Sequence, residues 1–433
     1  MAALRRFSLP DHLACAAYVA TWLPLAAGLG LVVGTAVAGF LWSLDEVTRL
    51  RFEHPWLLFA LPLAGGLVGW LYATWGKAVE AGHNLIVDEI HEPGGGVPLR
   101  MAPLVFLGTV VTHLCGGSAG REGTAVQMGG ALAGGLARVL PSVRSTDIPA
   151  LLMAGLAAGF GGVFGTPVAG AIFALEVLAI GRIRHDAILP CLVAALVSDQ
   201  TCLAWGISHT PYHVEPILGS ESGLAALVAS WRFLAAAAVG GILFGWTGTL
   251  FAGLAHATQR VFARVVTVPV LRPVVGGCLV IALVWLLGTR DYLGLGVTSP
   301  DPAATTIVTA FEPGGAGLWS WWWKIVFTAV TLGSGFKGGE VTPLFFIGAT
   351  LGNTLATLTG LPVDFMAALG FVAVFAGATN APIACIVLAV ELFGGANVPY
   401  FAVAVVFAYL ASGHAGIYSA QRIATPKPMR RTA

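Results

Sequence analysis

Charge is scarce in this chain of 433 residues. Lys and Arg number 22 and Asp and Glu 21, together 10% of the sequence, where a soluble domain carries roughly 25%. So few charged groups exclude an ordinary water-solvated globule. The net charge is +1 and no basic stripe exists, which leaves no electrostatic footprint for nucleic acid. The six cysteines (Cys15, Cys115, Cys191, Cys202, Cys278, Cys385) lie mostly in apolar runs, with no C-x-x-C pair and no Cys/His ligand spacing. They read as small packing residues, not as disulfides or metal ligands. No cofactor motif accompanies them. The first apolar run, 13–42, is too long for a signal h-region, and no small-residue cleavage signature stands out. About twenty residues follow Ser412, too few for an appended soluble regulatory domain.

What the chain has is apolar sequence, 57% of its residues, with 57 glycines. Further apolar runs lie at 56–76, 102–115, 148–180, 187–206, 224–257, 269–288, 318–336, 341–361, 365–393 and 398–412. Several exceed the ~20 residues that span a bilayer. The shorter ones suit broken or re-entrant helices, and the glycines let membrane helices pack closely. The lipid bilayer is therefore the first expected partner. Arg5 and Arg6 precede the first run, Arg260, Arg264 and Arg272 flank the central gap, and Arg422, Lys427, Arg430 and Arg431 follow the last run. The positive-inside rule places all three groups in the cytoplasm, with an even number of effective crossings. One membrane domain is expected, in two halves of about 13–206 and 224–420. The polar stretch Ile207 to Gly223 between them is expected outside.

The halves share a pattern. Gly117-Ser118-Ala119-Gly120-Arg121-Glu122-Gly123-Thr124 is followed by Thr166-Pro167 and an apolar segment ending at Glu176. Gly333-Ser334-Gly335-Phe336-Lys337-Gly338-Gly339-Glu340-Val341-Thr342-Pro343 is followed by Asn380-Ala381-Pro382 and an apolar segment ending at Glu391. Ser118 and Ser334 are 216 residues apart; Pro167 and Pro382, and Glu176 and Glu391, are 215 apart. Gly-rich breaks duplicated half a chain apart point to a transporter with internal repeats, whose half-helix ends meet a substrate near the midplane.

The break around Ser118, Gly120 and Gly123 exposes backbone N–H groups, and a helix starting there aims its positive end at one spot. That is an anion site without a full positive charge. A carboxylate at Glu122 competes with a transported anion for the same donors, and on protonation it leaves them. One residue can then act as gate and as proton carrier. An intramembrane carboxylate is functional by default, against the plainer reading of a helix-start residue that only satisfies the dipole. In the second break the amides of Glu340 and Val341 and the hydroxyl of Thr342 are candidate ligands. The plainer reading makes Thr342 a cap and Pro343 the first helical residue. The Glu340 carboxylate receives no role. The matched positions of Glu176 and Glu391 argue for a structural task, such as pairing with backbone or Arg. Tyr418, after the last run, is an interfacial aromatic or a hydroxyl reaching back into the pore.

Two look-alikes are weaker. Gly116-Gly117-Ser118-Ala119-Gly120 matches the G-x-S-x-G hydrolase elbow, but without a strand before it, so an intramembrane hydrolase is a remote alternative. Asp88-Glu89-Ile90-His91-Glu92 lacks H-E-x-x-H spacing and reads as a polar helix end.

At these residues the chain resembles the CLC family of chloride channels and proton-coupled anion antiporters. Gly120-Arg121-Glu122-Gly123-Thr124 is similar to the family's G-K/R-E-G-P segment, whose Glu is the external gate. The resemblance implies an all-α polytopic membrane protein of CLC-type fold, with two inverted-topology repeats and broken or re-entrant helices. Four departures resemble the fluoride/proton antiporter clade, which exports fluoride from bacteria. His83 and Asn84, in Gly82-His83-Asn84-Leu85-Ile86, replace the first Ser-containing motif; Thr124 replaces Pro; Thr342 stands in the third motif; Val177 stands where chloride/proton antiporters carry an internal proton Glu. His83 occupies a position where that clade commonly has Met or Asn. The resemblance implies pore roles for Thr342 and Tyr418, fluoride and protons as substrates with weak chloride transport conceivable, and a homodimer in the bacterial inner membrane. A chloride/proton antiporter or passive chloride channel of the same fold is the alternative.

Overall fold

The computed structural model describes residues 9–141, 143–217 and 224–428; Arg5, Arg6, Arg430 and Arg431 lie outside them. The first half contains α1 (Leu9–Glu53), α2 (Leu61–Leu71), α3 (His83–His91), α4 (Met101–Leu114), α5 (Glu122–Val139), α6 (Ile148–Phe164), α7 (Pro167–Glu176) and α8 (Ile188–Ala204). The second contains α9 (Leu224–Val265), α10 (Leu271–Leu287), α11 (Ser320–Gly333), α12 (Val341–Thr359), α13 (Val363–Thr379), α14 (Pro382–Phe393) and α15 (Val398–Ala411). The two-residue strands β1 (Ala179–Ile180) and β2 (Arg422–Ile423) pair in parallel and tie the C-terminal segment to the first half. Six helical stretches among the described residues are long and apolar enough to cross a membrane, and several of 10–17 residues are too short to do so alone.

The duplication is visible in the elements. Each half opens on a very long helix, α1 with 45 residues and α9 with 42. The apolar runs 148–180 and 365–393 each split into two helices. α6 ends on Gly165 at φ +71, and Pro167 is the first residue of α7. α13 ends on Asn380 at φ +57, and Pro382 is the first residue of α14. A left-handed residue ends one helix, and a proline two residues on starts the next. Asn380 tolerates that backbone because its side chain is held on both sides, by Lys427 Nζ donating to Oδ1 at 2.6 Å and Nδ2 donating to Gln421 Oε1 at 3.2 Å.

Contacts between the halves are reciprocal. Glu176 accepts N–H bonds from Ile383 and Ala384 at 3.1 and 2.8 Å. Glu391 accepts them from Val168 and Ala169 at 3.0 and 2.8 Å. Each carboxylate closes the N-terminus of the other half's proline-led helix, where unpaired N–H groups and the helix dipole favour it. Residue i meeting j while j's counterpart meets i's is the mark of a two-fold relation. Among the described residues both glutamates therefore pair with backbone and not with Arg.

Candidate functional site

The two breaks meet. Gly120 N–H donates to Gly339 O at 2.6 Å, and Gly339 N–H donates to Gly120 O at 2.8 Å. This bridge sets the first residues of α5 and α12 against each other. Glu122, the first residue of α5, is 1% exposed. Its Oε2 accepts the Thr342 N–H at 3.0 Å and the Arg121 N–H at 3.1 Å, and its Oε1 accepts a short hydrogen bond from the Thr342 hydroxyl. Arg121 Nε stands 3.8 Å from Oε1 without a hydrogen-bond partner. The carboxylate of one half thus occupies the donor end of a helix from the other, where a free anion would be held.

A cavity lies on each side of this contact. One, of about 30 Å³, is lined by Glu122 and Thr342 with Arg121, His209, Tyr212 and Phe345. The other, of about 190 Å³, is lined by His83, Asn84, Gly123, Gln127, Glu340 and Tyr418 among others. Glu122 and its chain neighbour Gly123 face different cavities, as do Thr342 and Glu340. The junction of the two breaks is the partition between them.

Around the larger cavity, the His83 and Tyr418 rings lie 4.3 Å apart between centroids. His83 is buried, and its Nε2 has no partner among the described residues. Asn84 Oδ1 accepts the Ala420 N–H at 3.0 Å, which fixes the turn that carries Tyr418.

Other expected residues take different places. The Ser118 N–H donates to Thr331 Oγ1 at 3.2 Å and its hydroxyl pairs with that of Thr328 at 3.0 Å, so it ties the break to α11 and lines neither cavity. The Gly120 N–H is taken by Gly339. α12 begins at Val341 with Glu340 before it, so Thr342 is the second helical residue and not the cap, and Pro343 is the third and not the first. The earlier start lets Thr342 present N–H and hydroxyl to the same carboxylate. Sequence reasoning gave no role to Lys337 or Gln127, which also line the larger cavity; Lys337 Nζ lies 3.9 Å from the Tyr72 ring centroid. A lysine in the Gly-rich break between two apolar runs was the available signal. The Asp88–Glu92 segment ends α3, and Glu89 accepts N–H bonds from Gly94 and Gly95 at 2.9 and 3.1 Å.

The voltage gated chloride channel family matches residues 64–413. The chain belongs to this CLC family. A chloride/fluoride channel protein of Pseudomonas syringae pv. tomato (strain ATCC BAA-871 / DC3000) is 51% identical, over 99% of this chain and 92% of that one. The H(+)/Cl(-) exchange transporter ClcA of Yersinia pseudotuberculosis serotype IB (strain PB1/+) is 27% identical over 86% of this chain and 80% of that one. The crystal structure of a CLC-type fluoride/proton antiporter superposes with a TM-score of 0.85 at 35% identity, covering 94% of this chain and 98% of the other. A slow cyanobacterial Cl-/H+ antiporter, at 20% identity and TM-score 0.74 over 92% of this chain and 96% of that one, shares the fold. The protein is thus a multi-pass CLC anion transport protein of a family of transporters and channels, not of enzymes.

Proposed function

We propose that this protein is a fluoride/proton antiporter that exports fluoride, with Glu122 as both gate and proton carrier. The observation that carries the reading is the Glu122 carboxylate bound by the Thr342 N–H and hydroxyl across the repeat boundary. Protonation removes the charge that these donors hold, and the freed donors can take an anion. Fluoride is small and strongly hydrated, so a site must replace its water with strong donors. Thr342, the Tyr418 hydroxyl, the Asn84 amide and protonated Glu122 are such groups. Val177 is buried and apolar beside Glu176, so the second proton carboxylate of chloride/proton antiporters has no counterpart there.

A single carboxylate alternating between proton and anion implies one-for-one exchange. Each cycle then moves the equivalent of two charges, and at about 100 mV, inside negative, this contributes about 4.6 kcal/mol. That sustains a fluoride gradient of roughly 10³ before any pH gradient is added. The same reading places the protein in the bacterial inner membrane as a homodimer with both termini cytoplasmic.

The test is flux from liposomes holding the purified protein. Proton-driven fluoride movement against its gradient supports the proposal. Chloride flux in its place supports the chloride/proton antiporter or channel, the reading favoured by the chloride named for both relatives. The hydrolase reading has no support from the geometry. The Ser118 hydroxyl pairs with Thr328, and the nearby His113 places its two ring nitrogens on the Thr109 and Ala119 carbonyls at 2.8 and 3.0 Å.

A further inference from the structure

A third cavity, of about 400 Å³, lies between the end of α1 and the loop joining α10 to α11. Arg51 and Arg290 line it. The Arg51 guanidinium is fixed by its surroundings. It lies 4.7 Å from the Phe52 ring centroid and against Gly294, whose φ is +59 and where a Cβ would stand 2.8 Å from Nη1. Only a glycine leaves that space. Yet Arg51 Nε is buried without a partner, and the guanidinium has no hydrogen bond or ion pair among the described residues.

Among the described residues no carboxylate pairs directly with this cation. The second cation of the cavity is Arg290, whose Nη1 donates to Pro55 O at 3.2 Å. Behind the loop stands a third, Lys324, fully buried and donating to the carbonyls of Tyr292 and Gly294 at 3.2 and 2.9 Å. The acids of the cavity hold the loop's own backbone: Asp291 accepts the Thr305 N–H at 3.2 Å, and Asp301 the Ala303 N–H at 2.9 Å. The buried Nε is left without an acceptor while the partly buried guanidinium faces the cavity, and an anion there would offset that deficit. The space is far larger than a halide. A planar fork of N–H donors matches the paired oxygens of an oxyanion. Beside the cavity, Trp56, Phe59 and Trp285 are exposed, as aromatic side chains are at headgroup depth.

We propose that this cavity binds a phosphate group, gripped by Arg51 and Arg290. A phospholipid headgroup and free phosphate present the same oxygens. This cavity shares no lining residue with the two that flank Glu122. The backbone pairing of Ile307 N–H with Gly296 O at 2.8 Å separates it from the small cavity above Glu122, which Val297 and Ile307 line. An occupant would brace that wall.

The experiment uses the full-length protein, delipidated in a phosphate-free maltoside detergent. Melting temperature is followed on titration with phosphatidylglycerol and, separately, with inorganic phosphate, for wild type, Arg51→Gln and Arg290→Gln. Wild type should be stabilised, with apparent affinity about tenfold or more weaker in each variant. Stabilisation by phosphatidylglycerol alone assigns the site to a lipid headgroup; stabilisation by inorganic phosphate as well assigns it to the free oxyanion. If Arg51→Gln does not fold, Arg290→Gln and native mass spectrometry of retained phospholipid give the same readout. No stabilisation of wild type by either probe, or an equal response in wild type and variants, overturns the proposal.

Discussion

The two pairs of motifs in this duplicated chain have diverged to different degrees. The proline-led pair has stayed symmetric. Glu176 closes the start of α14 and Glu391 the start of α7, each through two N–H bonds within 3.1 Å. The pair of breaks has not. One contributes a carboxylate, Glu122, and the other the N–H and hydroxyl of Thr342 that hold it. A scaffold that must brace itself can use the same group twice. On the proposed reading, a site where an ion and a proton exchange needs unlike partners, and the break pair supplies them.

The largest expected effect falls on the asymmetric pair. Glu122→Gln should abolish proton coupling, because an amide neither carries the proton nor returns to an anionic gate. Liposome assays with a pH-sensitive dye read this, and wild-type proton movement in the variant would end the gate assignment. Next come the donors. Thr342→Ala and Tyr418→Phe each remove a hydroxyl whose bond to an ion is worth about 1.5–3 kcal/mol. Fluoride turnover should fall by roughly 10–100-fold, or preference over chloride should relax. Wild-type rate and selectivity in both variants would remove these two residues from the site.

The symmetric pair should answer differently. Glu176→Gln and Glu391→Gln each turn one accepting oxygen into an NH2 that cannot accept, so one of the two N–H bonds is lost and the other loses its charge, costing about 1.5–3 kcal/mol of stability. Melting temperatures should fall by similar amounts in the two variants, while the ratio of protons to fluoride stays as in wild type. A changed ratio in either would give that glutamate a transport role and break the contrast. The smallest effect is expected at His83, next to Tyr418 but not among the groups that hold Glu122. His83→Met should shift fluoride/chloride selectivity, because it replaces a buried ring with an unpartnered Nε2 beside Tyr418 by an apolar side chain. Unchanged behaviour would make His83 a packing residue.

Much of this was readable before any coordinates. The equal spacing of the motifs announced the repeats, and Thr166-Pro167 and Asn380-Ala381-Pro382 announced two matching proline-led segments ending in Glu, whereas the runs 148–180 and 365–393 read as continuous and are divided into two helices each only in the structure. What was not readable depends on contacts across the halves. Ser118 carries a pore-like motif, but its hydroxyl direction is set by Thr328, 210 residues away. The start of α12 two residues before Pro343 follows from the Gly120–Gly339 bridge, which no local propensity encodes. Arg51 sits at the end of an ordinary amphipathic-looking turn, and its isolation emerges only once Gly294 packs against it.

The central claim is that one carboxylate, Glu122, alternates between proton and anion. Its most direct test is the reversal potential of reconstituted vesicles across imposed fluoride and pH gradients. The account predicts a value that follows both gradients with one fluoride exchanged for one proton. A value fitting two anions per proton, or one indifferent to the pH gradient, would contradict it and indicate a chloride-type antiporter or a channel respectively.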